Sequence, residues 1–218
     1  MKFFDYIYAT KNYLHNIIFI LYSIRNYFVS RPVWCYYTNN DLIYKSEQII
    51  KLIELKKNPT ILDLGCGNGI MLQPYLKLTK PENIIGVDNS YINIHQCSQN
   101  LKNVSKNKLI YENIETFIKD TNKTFDIILL HSVIGYFTYE KQNSILSGCI
   151  NKLNKNGYII LSAVNYINDD YIFQTYPLKN ITIIHNLCSI NNLTYNVYND
   201  SELELVLKYN AKTIIIKK

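Results

Sequence analysis

Apolar residues along the chain gather into short, nearly unbroken runs, and between the runs they fall back to every third or fourth position. The runs are "TILDL" (60–64), "NIIGVD" (83–88), "KLIY" (108–111), "FDIILL" (125–130) and "YIILSAV" (158–164). Runs of this length that are apolar on both faces predict strands covered on both sides. The stretches after them, residues 70–79, 90–102, 114–119 and 139–153, predict helices; in the last, Ile145, Leu146, Cys149, Ile150 and Leu153 keep helical spacing. A further helix is predicted over 41–56, with Asp41 as N-cap and Ile49, Ile50 and Ile53 on one face. Asn58-Pro59 closes it, because the residue before proline is pushed out of the α region. Toward the C-terminus, residues 180–192 read as a helix, and "LTYNVYN" and "KTIIIKK" as two closing strands. Residues 165–179, broken by Asn, Asp and Tyr, read as an inserted loop. Strands alternating with helices predict a parallel sheet with helices on both faces.

Residues 1–40 stand apart as an N-terminal helical segment, leaving 41–218 as the main domain. Leu14, Ile17, Ile18, Leu21 and Phe28 fit one helical face, the pattern of an arm that packs on the domain or lids its site. The apolar run Ile17–Tyr22 stops at Ser23 and Arg25, far short of the roughly 20 residues that span a bilayer. No small-residue cleavage site follows it, so neither a transmembrane segment nor a secretory signal is expected.

Composition adds three constraints. At 48% hydrophobic and 18% charged, the chain is built to fold. Its abundance of Asn, Ile, Tyr and Lys reads as the imprint of an AT-rich genome, so an isolated Asn or Tyr carries little functional information. The net charge of +6 is spread along the chain without a dense Lys/Arg block, which leaves no strong nucleic-acid signal. The five cysteines, Cys35, Cys66, Cys97, Cys149 and Cys188, form no Cys-x-x-Cys pair; they read as free thiols in a reducing, cytoplasmic setting and not as a metal site.

Against only seven glycines in the whole chain, Gly65, Gly67 and Gly69 crowd into "TILDLGCGNG" (60–69), directly after a strand-like run. Glycine is required where the backbone takes positive φ or where another group must approach it closely, so the cluster points to a ligand resting on the main chain. A dinucleotide fingerprint would need glycine at position 70, which is Ile70, and the Lys-Ser/Thr of a phosphate-binding P-loop is absent. The pattern present is D-x-G-x-G-x-G, from Asp63 to Gly69.

"LDLGCGNG" resembles the first motif of class I S-adenosylmethionine-dependent methyltransferases, and the resemblance extends over about residues 58–164. It implies a Rossmann-like, mainly parallel seven-stranded sheet with an antiparallel strand near the C-terminus, and S-adenosyl-L-methionine as cofactor. It puts Asp63 near the methionine end of that cofactor, and Gly65, Cys66, Gly67, Asn68 and Gly69 beneath it, with Cys66 contributing its backbone amide. Asp88, followed by Asn89, falls where the family places the carboxylate that accepts from both ribose hydroxyls, and Asn113 and Ile114 in "YENIE" fall at the adenine pair. "FDIILLHSVIGYF" matches the fourth-strand motif and brings His131 to the rim of the transfer site, as a cofactor contact or as a general base titrating in the useful range. "LNKNGYIIL" matches a later turn of which only Gly157 is kept, and no ligand contact is assigned to it.

The Asp/Asn-Pro-Pro-Tyr/Phe motif of exocyclic-amine and glutamine methyltransferases would fall at 131–134, where "HSVI" stands, and no Pro-Cys nucleophile is present. The expectation is O- or N-methylation of a small-molecule or sugar-type acceptor. Tyr166, Tyr171 and Tyr176, with "WCYY" at 34–37, fit a lidded pocket. Two other readings remain open at this point: a non-catalytic cofactor-binding partner subunit, and an RNA-modifying methyltransferase. Nothing in the sequence sets the oligomeric state.

Overall fold

A computed structural model describes residues 39–164, 182–199 and 211–218, and in it the apolar runs join into one sheet. Its strands are Ile61–Leu64 (β1), Ile84–Asp88 (β2), Leu109–Tyr111 (β3), Phe125–His131 (β4), Leu153–Val164 (β5), Thr194–Asn199 (β6) and Ala211–Lys217 (β7), in the order β3-β2-β1-β4-β5-β7-β6. The pairings from β3 across to β5 are parallel, and β7 runs antiparallel to both β5 and β6. This is the expected seven-stranded, Rossmann-like sheet. The lid reading of residues 1–40 falls outside the described residues except for Asn39 and Asn40, and the predicted loop 165–179 falls outside them entirely.

Helices Asn39–Lys51 (α1), Tyr91–Asn100 (α2), Ile114–Asp120 (α3), Tyr139–Lys152 (α4) and Thr182–Ile190 (α5) cover the two faces. Strand side chains alternate between faces, and the core divides accordingly. Leu62, Leu64, Val87, Ile128, Leu130, Ile159 and Leu161 pack against α3, α4 and α5. Ile61, Ile84, Ile127, Leu129, Ile160 and Ile215 pack against α1, α2 and the turns that follow β1.

Three elements depart from the sequence pattern. Helix α1 ends at Lys51, five residues short of the predicted 56 and well ahead of Asn58-Pro59, and Asp41 lies within its first turn instead of capping it. The helix predicted over 70–79 is instead a pair of 3-10 turns, Ile70–Leu72 and Pro74–Lys77. Pro74 has no N–H to donate and its ring crowds the preceding turn, so a continuous helix through it is disfavoured. The third departure is β5, which begins at Leu153, ahead of the predicted Tyr158. Its first half is irregular: the register with β4 shifts between Phe125 and Ile127, and Asn156 takes φ 61. A Cβ on Gly157 would stand 2.9 Å from the carbonyl oxygens of both Asn154 and Asp126, so only glycine fits. This turn lies at the amino ends of β4 and β5.

The same edge is pinned by Asp126. Its carboxylate accepts from the Thr60 N–H and hydroxyl, each at 2.7 Å, from Asn154 Nδ2 at 2.9 Å, and pairs with Lys56 Nζ at 2.8 Å. A buried carboxylate with every oxygen partnered is a structural staple.

Candidate active site

β1 has β2 on one side and β4 on the other, so the chain direction of winding reverses there. A crevice opens at the carboxyl ends of parallel strands at such a switch point, and the glycine loop sits in it. Gly65, Gly67 and Gly69 take φ of 79, 52 and 78°, all in the left-handed region. Their surroundings differ. A Cβ at Gly65 would lie 2.6 Å from Val133 Cγ2, and one at Gly69 would lie 2.6 Å from Cys97 Sγ, whereas one at Gly67 would meet nothing within 4 Å. Gly65 and Gly69 are therefore tight against protein, and Gly67 alone is bare toward the crevice.

Hydrogen bonds hold the loop in this shape. Gly65 N–H and Cys66 N–H donate to Val87 O at 2.7 and 3.0 Å, and Gly69 N–H donates to Cys66 O at 2.9 Å. The Cys66 amide is thus committed to β2, which corrects its expected role as a cofactor donor; its thiol is buried beside Cys97. Asn68 turns its side-chain oxygen to Ile70 N–H at 3.3 Å.

Asp88 ends β2 and is buried. Its Oδ2 accepts from Gly67 N–H at 2.9 Å, and its Oδ1 from Ser90 N–H at 2.8 Å and Asn93 Nδ2 at 3.1 Å. An ionised carboxylate offers about four lone-pair sites; three are filled, so Oδ2 keeps room for one ribose hydroxyl where two were expected. Asn89 beside it is exposed. Asn113 caps α3, accepting from Glu115 N–H at 2.8 Å, and Ile114 is buried in the core on the α3 side. Both adenine candidates therefore carry local structural roles.

At the end of β4, His131 is buried, with Nδ1 3.0 Å from Ser162 Oγ and Nε2 without a partner. Burial first, and the charge of Lys45 second, push its pKa down to about 3. The ring is neutral throughout the physiological range, which corrects the expectation of a base titrating there. Lys45 comes from α1 and is itself buried. Register aligns His131 with Ser162 and Ser162 with Thr213, so three polar side chains form a row on one face, just beyond the apolar row Leu129, Ile160 and Ile215. Thr213 Oγ1 also lacks a partner. Ser132, next along, takes φ 53 and donates its N–H to Ser162 O at 2.9 Å. A non-glycine residue held in this region stores strain, a feature that concentrates at functional sites.

Asp63 shares the face of Ile61 and is 1% exposed. Burial, with a smaller contribution from Asp88, pushes its pKa up to about 8, and Oδ1 has no partner. Because the folded-state pKa lies above the unfolded one, this group supports the fold below about pH 4 and loses that support as pH rises toward 8. Asp63→Asn is therefore expected to stabilise the ligand-free protein by roughly 1–3 kcal/mol at pH 8, with little effect at pH 4, in urea titrations at the two pH values.

Sequence reasoning passed over several residues that the fold brings to this crevice. Lys45 carried a signal, since it lies on the Ile49 stripe four residues earlier, where a lysine is out of place. Ser90 and Asn93 carried only the weak signal of an N-cap. Ser162 and Thr213 become visible only through strand register. Tyr75, Tyr91 and Tyr136 were lost among 20 tyrosines. Tyr91 is exposed and meets Tyr111 edge-on at 6.1 Å. Burial of its hydroxyl, then the charge of Asp88, raises the pKa of Tyr136, although its ring is largely at the surface.

The switch-point crevice, the bare Gly67, the acid at the tip of β2 and the orphaned oxygen of Asp63 together fit a nucleoside joined to a charged amino-acid end, and the strand order with β7 reversed completes the picture of a class I S-adenosylmethionine-dependent methyltransferase. Residues 55–212 match the model of the methyltransferase-domain family, and the chain belongs to that family. Among curated relatives, it is 28% identical over 140 residues to the ubiquinone biosynthesis O-methyltransferase of Pelagibacter ubique, covering 60% of this chain and 55% of the relative. Another, the enzyme of the same name from Rhodopseudomonas palustris, is 27% identical over 121 residues, 56% of this chain and 46% of the relative. The chain thus spans about half the length of these relatives. In fold it is similar to the N-methyltransferase NodS of Bradyrhizobium japonicum (TM-score 0.63, 16% identity, 83% of this chain and 97% of that one). It is also similar to the plantazolicin methyltransferase BpumL in complex with SAH (TM-score 0.58, 21% identity, 83% and 84%). Among the described residues, no helix is long and apolar enough to cross a membrane, and no group of side chains is arranged to hold a metal ion.

Proposed function

We propose that the protein transfers the methyl group of S-adenosylmethionine to a hydroxyl oxygen of a small acceptor. The observation that carries this reading is the buried, neutral imidazole of His131, whose Nε2 faces no protein partner and lies near the ammonium of Lys45. The cofactor supplies an electrophilic methyl on a sulfonium. The residues that would hold it are Gly67 and Asn68 beneath, Asp88 at the ribose and Asp63 at the methionyl end, with Asn89 beside Asp88; Asn113 and Ile114 are taken up by the cap and core of α3.

Methyl transfer is an in-line displacement, so the protein contributes mainly alignment and exclusion of water. A hydroxyl that gains a methyl becomes a strongly acidic oxonium as the new bond forms. Even a weak base within hydrogen-bond reach then suffices to take the proton. Ser162 fixes the ring: with Nδ1–H donating to Ser162 Oγ, the Nε2 lone pair is left to accept from the acceptor. The Lys45 charge repels an ammonium acceptor, and because it also disfavours the protonated imidazole, a proton taken up by His131 is passed on readily. The name of the Pelagibacter relative, an O-methyltransferase, supports oxygen as the acceptor atom. The fold does not decide the matter, since NodS is an N-methyltransferase.

Mass-spectrometric screening of hydroxyl, amine and carboxyl compounds with S-adenosylmethionine tests the reading, with methyl ethers as the expected products. Exclusive methylation of amines overturns it. His131→Ala is expected to keep the affinity for S-adenosylhomocysteine within about threefold while slowing transfer at least 100-fold, roughly the scale of a lost general base. Because His131 protonates only near pH 3, the wild-type rate should show no imidazole-dependent fall between pH 8 and 5.

A further inference from the structure

The two ends of the parallel strands carry different chemistry. The crevice opens at their carboxyl ends, while the turns that enter them at the amino ends are rich in lysine. Lys106 and Lys108 precede β3, Lys80 precedes β2, Lys57 precedes β1, Lys123 precedes β4, and Lys155 stands in the irregular start of β5. These strands are neighbours, in the order β3-β2-β1-β4-β5, so at about 4.8 Å per strand the lysines form a row roughly 20 Å long. Lys108 is half-buried and the others are exposed, and among the described residues none of the six has an ion-pair partner. Of the acids at this edge, Glu54 pairs with Lys217 at 3.6 Å and Asp126 with Lys56 at 2.8 Å, which leaves only Glu82 and Asp120 against the row.

A merely solvated surface would spread its lysines over both ends of the strands. The turns that leave the carboxyl ends of β1 to β4, residues 65–69, 89–90, 112–113 and 132–138, contain none. Helix carboxyl termini attract cations within their last turn, which accounts for Lys51, Lys119 and Lys152. The six lie beyond those turns. A cleft of about 490 Å³ also opens at this edge, lined by Lys155 and by the paired groups Lys56, Asp126, Lys217 and Glu54.

The kind of polyanion follows from what accompanies the charge. The exposed tyrosines stand elsewhere: Tyr91, Tyr136 and Tyr139 follow the carboxyl ends of β2 and β4, and Tyr44 lies in the first half of α1. The lysine row therefore lacks, among the described residues, the exposed rings on which nucleic-acid bases stack. Instead the exposed aliphatic side chains, Leu52 (42%) and Ile190 (77%), stand at the ends of α1 and α5, where the chain turns into β1 and β6. Lysine charge accompanied by aliphatic side chains suits the face of an anionic bilayer. We propose that the lysine row docks the protein on an anionic lipid surface, with the crevice at the other end of the strands left facing water. This is independent of the methyl-transfer reading.

Flotation of the full chain with vesicles tests it. At roughly 0.1 M salt, where a charge is felt over about 10 Å, binding is expected to phosphatidylcholine vesicles containing about one-third phosphatidylserine, and not to pure phosphatidylcholine. Lys123→Gln with Lys155→Gln should weaken that binding roughly tenfold or more, with the melting temperature and the affinity for S-adenosylhomocysteine unchanged. Lys77→Gln with Lys141→Gln, two lysines ion-paired to Glu47 and Glu115 outside the row, lowers the net charge equally and should keep vesicle binding within about twofold. Equal losses in the two double variants, equal binding to neutral vesicles, or no vesicle binding at all overturns the proposal. Tighter binding to an RNA of mixed sequence than to the anionic vesicles at the same salt also overturns it, and makes the edge a nucleic-acid surface.

Discussion

Gly67→Ala is expected to leave the fold standing and to remove cofactor binding, while the same change at Gly69 unfolds the loop. All three glycines of the motif have positive φ, so any alanine there costs about 1–2 kcal/mol in backbone strain. At Gly67 that is the whole cost, because a methyl would project into open space. The space is the one a nucleoside would occupy, so affinity for S-adenosylhomocysteine should fall more than tenfold with only a few degrees lost in melting temperature. At Gly69 the methyl would lie 2.6 Å from Cys97 Sγ and 3.0 Å from Leu101 Cδ1. Both of those residues are 0% exposed and cannot swing away. Overpacking of this kind adds roughly 1–3 kcal/mol to the strain, a large part of the stability of a domain this size. Thermal melting and calorimetry on the two variants separate the effects. Wild-type affinity in Gly67→Ala would show that nothing lies against that part of the main chain.

Asp88→Ala is expected to weaken S-adenosylhomocysteine binding more than tenfold and to destabilise the ligand-free protein by about 2–4 kcal/mol. The carboxylate organises Gly67, Ser90 and Asn93 at once, and hydrogen bonds to a charged group each contribute about 1.5–3 kcal/mol, not additively. The bond to Gly67 N–H is the one that shapes the loop, so on the proposed reading of the site the ligand would lose both its ribose partner and its platform. Calorimetry reads the first effect and urea denaturation the second. Unchanged affinity would remove Asp88 from the site.

The strands, their parallel pairing and the loop after β1 were legible in the sequence because each is encoded locally, in an apolar run or a glycine spacing. Ile70–Lys77 was misread because the apolar spacing of a helix persists there while Pro74 forbids the hydrogen bonding of one. Leu153–Asn156 was assigned partly to a helix because the strand enters through an irregular register that no periodicity marks. Asp63, Gly67 and Asp88 could be picked out from the family motif, but how each is packed and hydrogen-bonded could not. Only the coordinates separate the bare Gly67 from the packed Gly65 and Gly69, or leave Asp88 a single open lone pair. The row His131, Ser162 and Thr213 joins residues as far as 82 positions apart, counting from 131 to 213, and comes from pairing register alone.

The position of β7 also dictates an order of assembly. Among the described residues, β6 pairs with the sheet only through β7, and β7 pairs with β5 on its other side. A nascent chain that has emerged through Asn199 can close five parallel strands but has nowhere to dock the sixth. That strand waits, with its backbone unpaired, until residues 211–217 emerge and slot in from the opposite direction. Such long-range closure is slow and leaves a strand edge open to other chains, so low temperature or added chaperone capacity during synthesis should raise the yield of this protein.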